Sequence, residues 1–332
     1  MSARPPVLVT GGAGYIGSHV VLALLDDGWP VVVVDNLSTG NRDVVPDEAA
    51  FVEADVGDAA PVREALAAHG CAAVLHFAGS IVVSDSVREP LEYYRNNTSV
   101  SRTLIETCID AGINAFVFSS TASVYGISET TPVTEDSPVG PINPYGTSKL
   151  MTEWILRDVT AASDLRYVAL RYFNVAGADI AGRSGQRGND STHLIKVACE
   201  TAVGVRTGME LYGDDYDTPD GTCIRDYIHV NDLARAHLEA LDYLLTGGDS
   251  VILNCGYGRG YSVREVLAAV ERAAGVDLDV AVAPRRAGDS PALVADAGRI
   301  RSTLDWMPEL DDLDRIVESA LAWERLLRLE ES

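Results

Sequence analysis

The sequence predicts an α/β fold: a doubly wound parallel sheet covered by helices on both faces, with a smaller C-terminal α+β unit after it. Three observations predict it. Short β-branched runs alternate with helical patterns through the first half of the chain. Most of these runs are apolar throughout instead of alternating, as strands buried on both faces must be. A glycine-rich string stands at the first strand–helix junction, the place where such sheets hold ligands. The 332 residues suggest about two domains, each able to bury a core without disulfides or a structural metal.

Taken in order, the runs at 7–10, 31–34, 73–77, 115–118 and 167–172 read as strands, and 17–27, 59–69, 98–111 and 145–161 as the helices between them. After residue 174 the texture changes. Segment 179–190 is polar and glycine-rich, hence a loop. Segments 193–207 and 231–245 read as helices and 251–255 as a strand. Ser262 and Glu265 have the spacing of a capping box and open a further helix. An amphipathic helix at 312–329 ends the pattern. The expected division is 1–178 and 179–332, with some later elements packing back on the first unit.

Lys and Arg total 26 and Asp and Glu 49, a net charge of −23. Such a surface repels nucleic acid and anionic membranes, so neither is an expected partner. An anionic ligand would need a local cationic pocket. The five cysteines are dispersed with no C-x-x-C, which argues for a reducing compartment and against a zinc site; no metal is expected. No leader-like apolar stretch opens the chain, and no run approaches the roughly 18 to 20 apolar residues of a membrane span. A cytoplasmic protein is expected.

Gly11, Gly14 and Gly17 follow the first strand and open the first helix. Glycine there permits a tight turn, backbone approach to a pyrophosphate, and close helix–strand contact. The helix N-terminus offers amides and a positive dipole end to phosphates. Asp35 ends the second strand, where a carboxylate accepts hydrogen bonds from a ribose diol. It would repel a 2′-phosphate, and no arginine follows in Asn36-Leu37-Ser38-Thr39-Gly40. NAD is therefore expected over NADP. Asp55 is expected toward the adenine, and Phe77, Ala78 and Gly79 along the dinucleotide at the end of the fourth strand.

Tyr145 follows Pro144, a helix-opening residue, and Lys149 lies four residues on, on the same helix face. An ammonium there lowers the phenol pKa and makes a base accessible near neutral pH. The chain's other lysine is Lys196, its cations being otherwise arginine, so a lysine here marks a need for a compact point charge. Ser119-Ser120-Thr121 ends the fifth strand. Alone it reads as a turn; beside Tyr145 it offers a hydroxyl to orient a substrate oxygen.

The blocks TGGAGYIGSH, VDNLSTG, HFAG, PLEYYRNN, FSSTASVYG, NPYGTSKLMTE, LRYFNVAGA, TCIRDYIHVNDLA and APRRAGD together resemble the UDP-galactose (UDP-glucose) 4-epimerase family of the extended short-chain dehydrogenase/reductase class, over about residues 7 to 325. The resemblance implies a Rossmann-type NAD-binding domain and a nucleotide-sugar-binding domain. It implies Tyr145 as base, Lys149 as its partner and Thr121 as the hydroxyl. It implies NAD contacts at Tyr15, Ile16, Asp35, Asn36, Asp55, Val56, Phe77, Ala78, Gly79, Asn97 and Phe173, with Tyr145 and Lys149. It implies UDP-sugar contacts at Asn174, His193, Leu194, Arg225, Arg286 and Asp289; the two arginines also meet the demand for cations around a diphosphate. The implied reaction moves the sugar C4 hydride to tightly bound NAD and returns it to the opposite face of a 4-keto sugar. A homodimer is implied, joined through 98–111 and the helix from Tyr145, whose rows Met151/Ile155/Val159 and Leu150/Trp154 are apolar.

Two positions depart from the family pattern. Ile81 stands where many relatives carry lysine. Leu293 stands where some carry a bulky tyrosine, so activity on UDP-N-acetyl sugars is expected beside the hexose pair. A nucleotide-sugar dehydratase would need an acid just after Thr121, where Ala122-Ser123 stands. A non-catalytic NAD sensor would have no use for the Tyr/Lys pair.

Overall fold

The computed structural model describes residues 4–188, 191–286 and 289–330. The end of the predicted 179–190 loop (Asn189, Asp190) and Ala287-Gly288 of the APRRAGD block lie outside the described residues.

In chain order the first half runs β1 (Val7–Thr10), α1 (Tyr15–Asp26), β2 (Val31–Asp35), β3 (Ala50–Glu53), α2 (Ala59–His69), β4 (Ala73–His76), α3 (Val83–Arg88), α4 (Pro90–Tyr93), a π-helical turn (Tyr94–Ser99), α5 (Val100–Asp110), β5 (Ala115–Thr121), a 3-10 turn (Ala122–Tyr125), α6 (Pro144–Thr160) and β6 (Arg166–Tyr172). The second half runs β7 (Asn174–Ala176), α7 (Leu194–Ala202), β8 (Met209–Tyr212), β9 (Ile224–His229), α8 (Val230–Leu245), β10 (Val251–Cys255), β11 (Gly260–Ser262), α9 (Val263–Ala274), β12 (Val280–Ala283), β13 (Ala292–Leu293), α10 (Gly298–Leu304) and α11 (Leu313–Glu330).

The main sheet has seven strands in the order β10-β6-β5-β4-β1-β2-β3, all parallel. The doubly wound Rossmann-like architecture is thus present. The order reverses between β1 and β4, which opens a crevice at their C-terminal ends. Unbroken valine runs suit strands covered twice. Val7, Val9, Val31, Val33 and Leu75 join the core under α1 and α8, and Leu8, Val32, Val34, Val74 and Phe116 the core under α2, α5 and α6. At roughly 25 cal/mol per Å2 of apolar surface buried, these two layers dominate the driving force for folding.

The second half builds a smaller lobe from β11-β9-β13, with β7 on β9, and the β12-β8 ribbon. Helices α7, α9 and α11 pack together there. Its chain is interleaved with the first half: β10 hydrogen-bonds β6 as the edge of the main sheet, and α8 packs on α1. The capping box at Ser262 and Glu265 forms and opens α9. Strands β7 to β9 and β11 to β13 and helix α10 are not among the expected elements, and three further segments differ from the sequence expectation. β5 continues to Thr121 instead of ending at 118, because Ser119 and Thr121 keep pairing with β6. α7 stops at Ala202 instead of 207, since Gly204 turns to φ +78°, a conformation open to glycine. The stretch before 98, for which no helix is expected, is helical over Val83–Arg88 and from Pro90 onward.

Candidate active site

The glycine string forms the floor of the crevice. Gly11 adopts φ +70°, and a Cβ there would stand 2.6 Å from Ala78 N; one on Gly17 would stand 2.1 Å from Gly11 O. Turn, helix and β4 loop therefore pack backbone on backbone. Gly14 caps α1 without a side-chain bond, and the first turn carries no acid, so its positive dipole end is left for an anion. The buried Asp35 carboxylate accepts from Ala13 N at 2.9 Å and Leu37 N at 2.8 Å, tying the glycine turn to the loop after β2. Asn36 Nδ2 donates to Asp55 Oδ2 at 3.3 Å. Cradle, bare helix end and carboxylate together suit a dinucleotide with a free ribose diol.

Other expected contacts point elsewhere with their side chains. The Tyr15 hydroxyl donates to Gly177 O at 2.7 Å, at the start of the second lobe. Ile16 packs half-buried against the core under α1, while Val56 is buried in the core under α2, which leaves Val56 its backbone to meet a ligand. The Phe77 ring lies 4.7 Å from that of His237. Phe173 is buried in a cluster with Leu150 and Val124, and Leu293 packs against it.

The far end of the crevice is built by α6 and β5. Asn143 caps α6 through Gly146 N at 2.8 Å, with Pro144 at its first turn; this fixes where Tyr145 and Lys149 emerge. The half-buried Tyr145 phenol faces the hydroxyl of Thr121, the last residue of β5. Burial raises the phenol above its ordinary range and the Thr121 hydroxyl draws it back. Lys149 Nζ donates to Ser119 O at 2.9 Å, and burial lowers its pKa to about 8. The expected hold of the ammonium on the phenol is thus not a direct contact; both groups are anchored on β5. A Cβ on Gly79 would stand 3.0 Å from Asn97 Oδ1 and 3.7 Å from Lys149 Nζ, so the β4 loop, the π-helical turn and α6 meet at one point. Asn97 holds them there. It donates to Ser80 O at 2.9 Å and Ser148 Oγ at 3.0 Å, and accepts from Ser80 N at 2.7 Å. π-helical turns recur at functional sites for this kind of placement.

The second lobe supplies the cations. Arg225 on β9 donates to Ser290 O at 2.8 Å and pairs with Asp289 at 3.6 Å; its neighbour in register on β13 is Leu293. The Arg286 guanidinium is exposed and sits 3.8 Å over the ring of Tyr212, a cation–π contact that sequence reasoning missed, since nothing local to Tyr212 says that a residue more than 70 positions on reaches over it. Asn174 is exposed at the start of β7, two residues past Tyr172, the partner of Thr121 in the sheet. His193 and Leu194 open α7, where the His193 ring lies 3.0 Å from Gln186 Nε2. Ile81 is 52% exposed. Among the described residues no group of His, Cys, Asp and Glu has the geometry to hold a metal, and no helix is long and apolar enough to cross a membrane.

A seven-stranded parallel sheet, glycine turn, strand-end aspartate and Tyr/Lys helix define a Rossmann-like protein of the short-chain dehydrogenase/reductase type. Comparison with known proteins narrows this. The model of the NAD dependent epimerase/dehydratase family matches residues 7–256, and the chain belongs to that family. The UDP-glucose 4-epimerase of Azospirillum brasilense is 58% identical over 326 residues, covering 98% of this chain and 94% of the relative. The crystal structure of UDP-glucose 4-epimerase from Brucella ovis in complex with NAD superposes with TM-score 0.93 at 45% identity, covering 96% of this chain and 98% of the other. That of the Bifidobacterium longum UDP-glucose 4-epimerase with NAD+ and UDP gives 0.91 at 40% identity, covering 97% and 98%.

Proposed function

We propose that this chain is a UDP-glucose 4-epimerase, interconverting UDP-glucose and UDP-galactose with tightly bound NAD. The observation that carries the reading is the meeting of Tyr145, Thr121 and Lys149 at the end of β5, beside Gly79 and Asn97. NAD, when bound, accepts the C4 hydride of the sugar and gives it back. The chain's residues do the rest. Tyr145 takes the proton of the C4 hydroxyl and later returns it; Thr121 holds that oxygen and shares its hydrogen bond. Lys149 and Asn97 fix the ribose side of the site, and Asp35 the far ribose. Arg225 and Arg286, with Asn174, His193, Leu194 and Asp289, hold the nucleotide while the 4-keto sugar turns. Charge-assisted bonds from the two arginines let a dianion bind a protein of charge −23. In this division 1–178 serves the dinucleotide and 179–332 the nucleotide sugar, with α8 and β10 returning to the first sheet. The N-acetylated pair expected from Leu293 is the less favoured reading, because the curated relatives at 42–58% identity carry the UDP-glucose name, although one solved structure at 48% identity is of a UDP-Glc/GlcNAc 4-epimerase. We assign the chain to the cytoplasm, in keeping with its dispersed thiols.

The test is to incubate the purified protein, with no cofactor added, with UDP-galactose. UDP-glucose should form to equilibrium without net change in NADH absorbance. No conversion, even after NAD is supplied, would overturn the reading.

A further inference from the structure

Tyr145, Lys149 and Glu153 stand four residues apart on one face of α6, and each grips one of the last three residues of β5. The Tyr145 phenol faces the Thr121 hydroxyl, Lys149 Nζ donates to Ser119 O, and Glu153 Oε1 accepts from the Ser120 hydroxyl. The third of these contacts has no part in moving a proton or hydride. Glu153 is 1% exposed and faces Arg171 on β6, which donates to its carboxylate from Nε at 2.9 Å and Nη2 at 2.6 Å. Arg171 is the sheet partner of Ser120. Its Nη1 donates to the Tyr125 hydroxyl at 3.1 Å, and that hydroxyl donates to Asn254 Oδ1 on β10 at 2.6 Å. One buried ion pair therefore ties α6, β5, β6, β10 and the 3-10 turn after Thr121.

A buried pair pays a desolvation cost that apolar side chains of similar volume avoid, so holding the fold together does not by itself call for one. What charge adds is a fixed geometry, since a bidentate fork accepts only one relative placement. We infer that Glu153, held by Arg171, is a positioning residue for the proposed epimerisation: it fixes the register of α6 on β5 so that Tyr145 stays within bonding reach of Thr121. The inference rests on the function proposed above only for its kinetic readout. The titratable groups facing the Tyr145 phenol are Tyr172 on β6 and Tyr93 on α4. Neither is altered by changing Glu153 or Ser120.

The test uses the NAD-loaded protein as purified, with Glu153→Gln and the milder Ser120→Ala. A slipped α6 loses the Thr121 contact, so the phenol ionises at higher pH. The acid limb of kcat against pH should then move upward by about half a unit or more. At pH 7 kcat should fall at least ~10-fold in Glu153→Gln and ~3-fold in Ser120→Ala, with KM within ~2-fold. The phenolate absorbance of each protein minus its Tyr145→Phe counterpart should show the same upward move without any turnover. An acid limb and phenolate midpoint left in place, with activity lost only in step with the unfolded fraction, overturn the inference. If Glu153→Gln does not fold, Ser120→Ala decides alone. A wild type that fails to convert UDP-galactose defeats the proposed function, and the phenolate titration still judges Glu153.

Discussion

Tyr145 is set up by opposing forces at the scale of single bonds. Burial penalises the phenolate and Thr121 stabilises it. Tyr145→Phe keeps the ring and its packing and removes only the oxygen. It should lower kcat about 10^2- to 10^4-fold, the range of a lost general base. NAD content on purification should be unchanged, because Asp35, Asn97 and the glycine turn are untouched. Turnover and the NAD released on denaturation check this; near-normal turnover would show that another group moves the proton. The Tyr145/Lys149 pair is legible in the sequence because helical spacing is local. Thr121 is legible because a strand end precedes it. Glu153 and Arg171 are not, because their meeting depends on the register of β5 on β6, which no local pattern records. Tyr212 escapes for a related reason: its value lies in Arg286 reaching over it from beyond β12.

Elements were legible where both faces of a segment are buried, and less so where a segment is polar or its placement is a matter of topology. The valine runs of β1 and β2 declare themselves. β10 is readable as a strand, yet nothing in Val251–Cys255 says that it closes the main sheet beside β6. α6 is the element that does most. Its inner face carries the Tyr145, Lys149 and Glu153 contacts, and its outer face adjoins α5 across a groove lined by Ile105, Ile109, Ile155 and Val159. Trp154, the helix neighbour of Ile155, is 45% exposed, so groove and ring together offer apolar surface for a partner to cover. We propose that a second copy of the chain does, through α5 and α6 of each subunit. A wild type sedimenting at twice the chain mass and a Trp154→Arg protein at one chain mass are expected, since the substitution places a charge in the centre of the interface. A wild-type monomer would reject the dimer.

At the scale of the whole molecule, acidification sets two effects against each other. A net charge of −23 repels itself, and lowering the pH relieves that repulsion. Four histidines work in the opposite direction. His19, His76, His229 and His237 are buried, and burial lowers their pKa values to about 4, 3, 3 and 4 from an ordinary 6.5. Between those limits the unfolded chain binds protons that the folded one refuses, so stability present above pH 6.5 is lost as the pH falls toward 4. By pH 5 each histidine costs about 2 kcal/mol. The four act in the same direction, against a total stability of roughly 5 to 15 kcal/mol for a typical domain. Relief of repulsion is small over the same window, because ordinary carboxylates titrate near pH 4 and keep most of their charge at pH 5; buried Asp226, raised to about 6, takes up a proton in the folded state and offsets part of the loss, one carboxyl against four imidazoles. The histidines should therefore win. Between pH 7.5 and 5, at fixed ionic strength, the melting temperature followed by circular dichroism should fall by at least about 10 °C. His237→Phe should flatten that fall, since the ring already lies against Phe77 and Tyr172 and its Nε2 has no hydrogen-bond partner. A melting temperature that holds or rises on acidification would mean that self-repulsion, not the buried imidazoles, governs the stability of this fold.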